Sequence, residues 1–529
     1  MSKDLENVPL LTLLDVLPSA LQRGIRARSL GRDDLVQTDI VVSQTLLEIR
    51  TQLKFLSPSA RLPSEILAQC FEHAMSCVLP GRSESLGKRD TAHQFPIHPL
   101  ITITHVCKRW RDVALGTPTL WACIDDERPA QLEAFLARSR DVPISMHLTT
   151  KDMSRTALVL SKHASRTRRL DLTIHLNTSF FPPILQFEAP LLECLTIYSE
   201  LNAPPPLEQF TMLLFRKRQV NLLALALVGL HPWLPGNCFP QLTHLHLSNF
   251  PEQSIVEDNT LHLHLKQLLS NTPSLQYLHV RKFGYGISTL TTDVGDMVSL
   301  PALRGLTFTD SMFLPTLHLF AMLDLPQDVM VRLETLGRYA STNHSVPQFS
   351  IHSREFLSSL THIAVDIHDH DNFQDLDLIA QGPSSGFLIE ARYMEDHRDA
   401  WLPQLTTILP MPSIKELHVS AYNPGGVLAL LRQLPHLTTL VVVIHEDELT
   451  FIFGGQEHFL QELYERLALA APVLAPQLQV LEIHACMYRV RDMTGFVAMV
   501  KARHALGCPL YTVIVDPRSL TSSSIWTWI

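Results

Sequence analysis

The sequence predicts an α/β protein in which an all-α N-terminal module is followed by an irregular α/β solenoid of parallel strands. A short apolar phrase, with large apolar residues at positions 1, 4 and 6, recurs in ten places after residue 190. Before residue 125, apolar residues instead recur at three- and four-residue spacing, which is typical of helices. A chain of 529 residues also exceeds one ordinary hydrophobic core, so at least two structural units are expected.

Residues 1–60 are predicted to form a helical lead-in. Asp33 and Asp34 suit the start of a helix, because acidic side chains are stabilised at the positive end of the helix dipole. Apolar residues then recur at roughly helical spacing until Pro58, which disfavours the helical conformation of the residue before it. Two interpretations remain open: an amphipathic helix packed on the next domain, or a short coiled coil that dimerises the chain.

Residues 61–125 are predicted to form a small helical domain. Its first helix begins at Pro63, since the missing N–H of proline costs nothing in the first turn, and it ends before Pro80. A polar loop follows, and a second helix is expected from Leu100 to Leu115. One face of that second helix carries Ile103, Val106, Trp110 and Val113.

Three motifs of this domain occur together and in order: Leu62-Pro63-Ser64-Glu65-Ile66-Leu67, Val106-Cys107-Lys108-Arg109-Trp110 and Thr117-Pro118-Thr119-Leu120-Trp121. They resemble the F-box-like domain common in fungal, basidiomycete-type F-box proteins. The F-box of that family docks on the Skp adaptor of a Skp–cullin–F-box ubiquitin ligase. The resemblance implies that the adaptor-binding residues here are Leu62, Pro63, Ile66, Leu67, Val106, Trp110 and Val113.

The loop from about Pro80 to Pro96 is longer than in the most compact F-boxes. An alternative without any docking role is that the two helical faces pack together and cap the following repeats. Three small helices have little room to bury two tryptophans, Phe71 and many aliphatic residues, which favours a surface left for a partner.

Residues 130–529 carry the recurring phrase, which resembles the start of a leucine-rich repeat. Each phrase ends in an alternation that predicts a short strand with one face turned inward. Phrases begin at Leu192, Leu222, Leu242, Leu275, Leu303, Leu360, Ile414, Leu437, Leu478 and Leu510. Leu170–Leu172 would begin the series, and degenerate strands are expected at Val329–Leu333 and Phe387–Arg392. This adds up to eleven to thirteen parallel strands, with helices between them in segments such as HLHLKQLLSN and GGVLALLRQL.

A candidate target surface lies on the outward face of these strands. Histidine occupies the outward position between the second and third apolar residues in three phrases, at His246, His279 and His418. With the neighbouring outward residues, the predicted surface comprises His244, His246, Tyr277, His279, Arg281 and His418. The alternative is an ordinary solvated sheet face, since every solenoid must expose polar residues there.

Catalytic and cofactor chemistry is not expected. The sequence has no GxSxG, HExxH or Gly-rich phosphate-binding motif. The segment from Asp366 to Asp371 is the best candidate for a metal site, because Asp366, His368 and His370 would share one side of a strand. No second ligand set accompanies it, so no metal is predicted.

Composition limits the kinds of partner. The net charge of −9 argues against a broad nucleic-acid or acidic-membrane surface, and no long apolar segment suggests a membrane span. Eight scattered cysteines without a CxxC pair indicate reduced thiols, which together with the absence of a basic leader predicts a cytoplasmic or nuclear location.

The expected function is that of a non-enzymatic F-box substrate receptor, with the adaptor bound by the F-box and an unknown protein target bound by the repeats. Two alternatives remain: a repeat scaffold with a vestigial F-box that joins no ligase, and a metal-dependent enzyme with its site in a repeat insertion such as Asp366–Asp371.

Overall fold

A computed structural model describes the fold of much of the chain. The residues that it describes are 10–27, 31–56, 61–77, 97–150, 153–174, 185, 187–199, 211–216, 220–229, 234–248, 260–283, 297–312, 315–316, 319–320, 322–336, 354–370, 373–395, 413–420, 424–444, 455–469, 471, 473–485 and 494–516. They belong to two compact units, the first ending at Leu120 and the second running on from Trp121. No helix within these ranges is both long and apolar enough to cross a bilayer.

The first unit is helical, as the sequence predicts. Its helices are α1 (Leu10–Arg26), α2 (Arg32–Leu56), α3 (Ser64–Cys77), α4 (Ile97–Val106) and α5 (Lys108–Gly116). Residues 31–50 contain no buried side chain. Its apolar side chains over this stretch are exposed or, at Val42 and Ile49, half-buried.

The expectation of one helix from Leu100 to Leu115 is also wrong, because the chain breaks between α4 and α5. Cys107 has an extended backbone, with φ −159° and ψ 168°, and caps α5 by accepting a hydrogen bond from the N–H of Trp110 at its Sγ. The break changes the direction of the chain after Val106. Ile103 and Trp110 therefore belong to different helices and do not share one helical face.

The second unit contains twenty strands among its described residues. They are β1 (Cys123–Asp125), β2 (Ile144–Thr149), β3 (Thr167–Ile174), β4 (Cys194–Ser199), β5 (Thr211–Met212), β6 (Ala224–Val228), β7 (Leu234–Pro235), β8 (His244–Ser248), β9 (Tyr277–Arg281), β10 (Val298–Ser299), β11 (Gly305–Thr309), β12 (Leu323–Asp324), β13 (Met330–Leu336), β14 (His362–His370), β15 (Phe373–Gln381), β16 (Gly386–Glu395), β17 (Glu416–Ser420), β18 (Thr439–Ile444), β19 (Val480–Ala485) and β20 (Thr512–Asp516).

Sixteen of these strands form one large, mostly parallel sheet. Its order is β1-β2-β3-β4-β6-β8-β9-β11-β13-β16-β15-β14-β17-β18-β19-β20, and β5-β7 and β10-β12 form two small parallel pairs. Only β15 runs against its neighbours, in antiparallel pairs with β14 and β16. The chain is therefore an α/β protein, as the sequence predicts.

Every predicted repeat strand is present in this sheet. The inward residues of the phrases from Leu192 to Ile483 are at most 5% exposed and form the core. The degenerate strands also exist, as β13 and β16. The estimate of eleven to thirteen strands was too low, because β1, β2 and β15 carry no complete phrase.

Helices follow several of the strands. They are α6 (Pro129–Arg138), α7 (Met153–His163), α8 (Thr260–Ser270), α9 (Arg354–Ser359), α10 (Pro424–Gln433), α11 (Gly455–Leu467) and α12 (Thr494–Ala505). The two helices expected in HLHLKQLLSN and GGVLALLRQL are confirmed as α8 and α10. Each turns leucines into the interior, among them Leu268 and Leu431.

Candidate functional site

The predicted docking surface begins with the packing of α3 against α5. The rings of Phe71 and Trp110 meet with their centroids 5.0 Å apart. The guanidinium of Arg109 donates a hydrogen bond to the carbonyl oxygen of Leu62, which ties the start of α3 to α5. Leu67 is buried in the same unit. Leu67 is thus part of the interior of the helical unit, and Trp110 is half-buried against Phe71.

The seven predicted adaptor residues therefore differ in accessibility. Leu67 is buried, while Leu62, Trp110 and Val113 are half-buried. Pro63 is exposed, Ile66 is 42% exposed and Val106 is 53% exposed. Large apolar side chains at the surface have the most to gain from a partner, so Ile66 and Val106 are the most informative members of the set.

One exposed apolar residue of this unit was missed by sequence reasoning. Ile101, on α4, is 41% exposed. Sequence spacing placed Ile103, Val106, Trp110 and Val113 on one face, because it assumed a continuous helix through Cys107. The loop from Pro80 to Pro96, whose length departs from compact F-boxes, lies outside the described residues.

On the sheet, β8 and β9 bring five of the six predicted target-surface residues together. The strands pair directly, with His244 opposite Tyr277, His246 opposite His279 and Ser248 opposite Arg281. The His244 and Tyr277 rings stack with a centroid distance of 4.8 Å. Adjacent parallel strands in register place equivalent residues about 4.8 Å apart, which is why these pairs touch.

His246 and His279 form a hydrogen-bonded pair on this face. Their Nδ1 atoms are 3.1 Å apart, and Nε2 of His279 lies 2.9 Å from the Thr309 hydroxyl of β11. Within the described residues, Nε2 of His246 is buried without a hydrogen-bond partner. An Nδ1 to Nδ1 hydrogen bond requires one ring to donate and the other to accept, so the pair is neutral when both rings carry one proton.

Burial controls the charge of these histidines. Loss of hydration, together with the nearby His279 and Arg281, lowers the pKa of His246 to about 3. The pKa of His279 is lowered by the same burial and by Arg281, against a smaller raising effect of Asp310. Arg281 itself pairs with Asp310 at 2.8 Å. The centre of the surface is therefore uncharged near neutral pH, with one ion pair at its edge.

His418 lies apart from the other five residues. Its strand, β17, is separated from β9 by β11, β13, β16, β15 and β14 in the sheet order. At about 4.8 Å per strand this separation is roughly 29 Å. Nε2 of His418 instead contacts Glu416 at 2.6 Å, and the second carboxylate oxygen of Glu416 lies 3.2 Å from His362. His418 is therefore too far from the β8–β9 residues to contact the same side chain of a target.

The candidate metal segment can be placed only in part. Asp366 is buried on β14, whereas the side chains of residues 367–371 lie outside the description. Among the side chains that are described, no three His, Cys, Asp or Glu residues are arranged to hold a metal ion. The His246–His279 pair has only two nitrogen ligands, and the Arg281 cation beside it opposes a second positive charge.

No family model and no curated protein matches the chain.

Proposed function

We propose that the chain is an F-box substrate receptor of a Skp–cullin–F-box ubiquitin ligase. In this proposal α3–α5 dock on the Skp-type adaptor, and the sheet holds a protein target. The observation that carries the proposal is the helical unit itself. It closes its own core around Leu67, Phe71 and Trp110, yet it keeps Ile66, Ile101 and Val106 at the surface.

The energetics favour a partner for those residues. Full burial of an Ile or Val side chain contributes roughly 1.5–3 kcal/mol. Ile66, Ile101 and Val106 are already about half covered, so a partner that buried the rest would gain part of this free energy from each of them. Buried Leu67 and half-buried Trp110 contribute to the helical packing that presents these residues.

The repeat array supports the second half of the proposal. We infer that it is an irregular leucine-rich-repeat solenoid, because its phrases supply successive parallel strands in matching register. Stacked repeats leave one long sheet face open for binding. The uncharged surface of β8 and β9 is the best candidate there for contact with a target.

A receptor of this kind performs no bond chemistry. It raises the effective concentration of the target at the ubiquitin-transferring enzyme, which is where the covalent step occurs. A cytoplasmic or nuclear location is part of the same proposal.

The test is retention of a purified Skp-type adaptor by the full-length chain. Ile66→Glu and Val106→Glu place a charge on exposed positions, so folding should survive while adaptor retention falls at least tenfold. Leu158→Glu on α7 is the matched control, because Leu158 is also 53% exposed but lies in the second unit. It should retain the adaptor like the wild type.

Failure of the wild-type chain to retain the adaptor would overturn the proposal and leave the repeat scaffold with a vestigial F-box. Equal retention by both charged variants would show that α3–α5 do not form the docking surface.

A further inference from the structure

Helix α2 carries an apolar seam with the spacing of a coiled coil. Leu35, Val42, Ile49 and Leu56 are each seven residues apart, and Leu46 and Leu53 fall four residues after Val42 and Ile49. With Asp39 at the equivalent earlier position, the seam alternates steps of four and three residues through three heptads. A sustained spacing of 3.5 residues is the pattern that packs one helix against another.

The described apolar side chains of this seam are each at least partly accessible to solvent. Leu35 and Leu46 are exposed, at 39% and 48%, and Val42 and Ile49 are only half-buried. An isolated helix of 25 residues gains little stability in water from its backbone alone, so exposed apolar side chains along a seam favour association with a second helix.

Asp39 restricts how a second helix can lie. In a parallel pair of identical helices, Asp39 would face Asp39 of the other copy within the apolar seam, which places like charges in contact. In an antiparallel pair centred on Gln44, Asp39 faces Ile49 of the second copy, and Val42 faces Leu46. Arg50 follows Ile49, so its guanidinium flanks the carboxylate of Asp39 across the interface.

We propose that α2 forms an antiparallel coiled coil with α2 of a second copy of this chain. From Leu35 to Leu53 the seam is self-complementary in that orientation, since Leu35 meets Leu53, Val42 meets Leu46 and Asp39 meets the Ile49–Arg50 pair. The other positions that flank the seam are Val36, Thr38, Ser43, Thr45 and Gln52. None of them is charged, so the two copies do not repel each other.

The first test is the mass of the full-length chain by sedimentation equilibrium at micromolar concentration. The wild type should be a dimer, and Leu46→Glu should be a monomer. Val41→Glu is the matched control, because Val41 is 51% exposed on the same helix but points away from the seam. It should remain dimeric. A monomeric wild type, or a dimeric Leu46→Glu, would overturn the proposal.

The second test concerns the orientation. Arg50→Glu should weaken dimerisation about three- to tenfold, and the double variant Asp39→Lys with Arg50→Glu should restore it. Within one helix these residues are eleven positions apart, about 16 Å, so they cannot pair in the monomer. A parallel dimer brings residue 39 to residue 39 and predicts no rescue. Absence of rescue would therefore exclude the antiparallel arrangement.

Adaptor retention distinguishes this inference from the proposed function. The Leu46→Glu monomer should still retain the Skp-type adaptor, because α3–α5 are unchanged. A Leu46→Glu variant that lost the adaptor together with the dimer would contradict an independent role of α2.

Discussion

At the scale of single residues, the neutral pair of His246 and His279 makes the stability of the sheet depend on pH. The folded-state pKa of His246 is about 3, against an ordinary value of 6.5. When pH falls below 6.5, the unfolded chain takes up a proton that the folded chain does not accept. Stability is therefore complete above pH 6.5 and is lost progressively as pH falls toward 3.

We predict that the wild-type chain loses at most about 1.4 kcal/mol of stability from His246 for each pH unit below 6.5. His246→Gln removes this titration, so the difference in urea midpoint between pH 7.5 and pH 4.5 should become smaller. His244→Gln, on the same strand but exposed, should leave that difference unchanged. An equal pH response of wild type and His246→Gln would show that His246 does not carry this effect.

Two other buried polar side chains, those of Asn237 and Arg503, form hydrogen bonds with backbone groups. The side chain of Asn237 accepts from the N–H of Leu214 at 2.8 Å and donates to its carbonyl oxygen at 3.1 Å. The buried guanidinium of Arg503 donates to the carbonyl oxygens of Leu474 and Ala475 at 3.0 and 2.9 Å. Buried backbone groups need such partners, so these side chains stabilise irregular segments between strands.

At the scale of elements, the break between α4 and α5 shapes the proposed docking unit. The Sγ of Cys107 is a weak acceptor for the Trp110 N–H, at 3.5 Å. Serine is one of the preferred residues at the position before a helix, because its hydroxyl oxygen accepts this hydrogen bond strongly. The cap is thus an element whose strength can be changed without altering the apolar packing.

We predict that Cys107→Ser stabilises the helical unit by about 0.5–1 kcal/mol and that Cys107→Ala destabilises it by a similar amount. Amide hydrogen exchange of residues 108–116 would measure both changes. The pair of variants separates capping from side-chain volume, since serine and alanine are both smaller than cysteine. Equal behaviour of the two would show that residue 107 does not act as a cap.

Successive repeats are also joined at the ends of their strands by a buried serine hydroxyl. The Ser311 hydroxyl accepts a hydrogen bond from the Phe283 N–H at 3.1 Å, and donates one to the Thr309 carbonyl oxygen. Phe283 and Ser311 are both fully buried. The Ser311 hydroxyl therefore links the ends of two successive repeats, and the ring of Phe283 is buried beside it.

At the scale of the whole molecule, the sheet begins before residue 130. β1 pairs with β2, and Trp121, just ahead of β1, packs on Phe135 with ring centroids 4.8 Å apart. The guanidinium of Arg138 lies 4.3 Å from the Trp121 ring. The residues from Trp121 to Asp125 thus close the N-terminal end of the sheet.

We predict that a fragment of residues 117–529 melts cooperatively, whereas a fragment of residues 130–529 aggregates. The shorter fragment exposes the edge of β2 and the Phe135 side chain, and unprotected strand edges pair with other chains. Light scattering during a thermal melt would compare the two fragments. Full-length Trp121→Ala separates loss of the ring from loss of the strand. Equal solubility of both fragments would contradict a protective role for β1.

The sequence by itself determined the α/β class, the helical front and the inward residues of the repeat strands. The reason is local. The apolar residues at positions 4 and 6 of a phrase are two residues apart, and both can be buried on one side only if that part of the phrase is a strand with one face inward. The contact of His246 with His279 was predictable for the same reason, because their phrases supply neighbouring strands.

Only the tertiary structure decided the break at Cys107, the strands outside the phrases and the distance of His418 from the β8–β9 surface. The break is an extended residue at Cys107, and the apolar spacing continues across it as it would in one helix. β15 alternates in burial at Leu378 and Ala380 but has no phrase, and its antiparallel insertion moves β17 further along the sheet. Which outward residues meet depends on the order of strands, and that order is set by the packing of the whole unit.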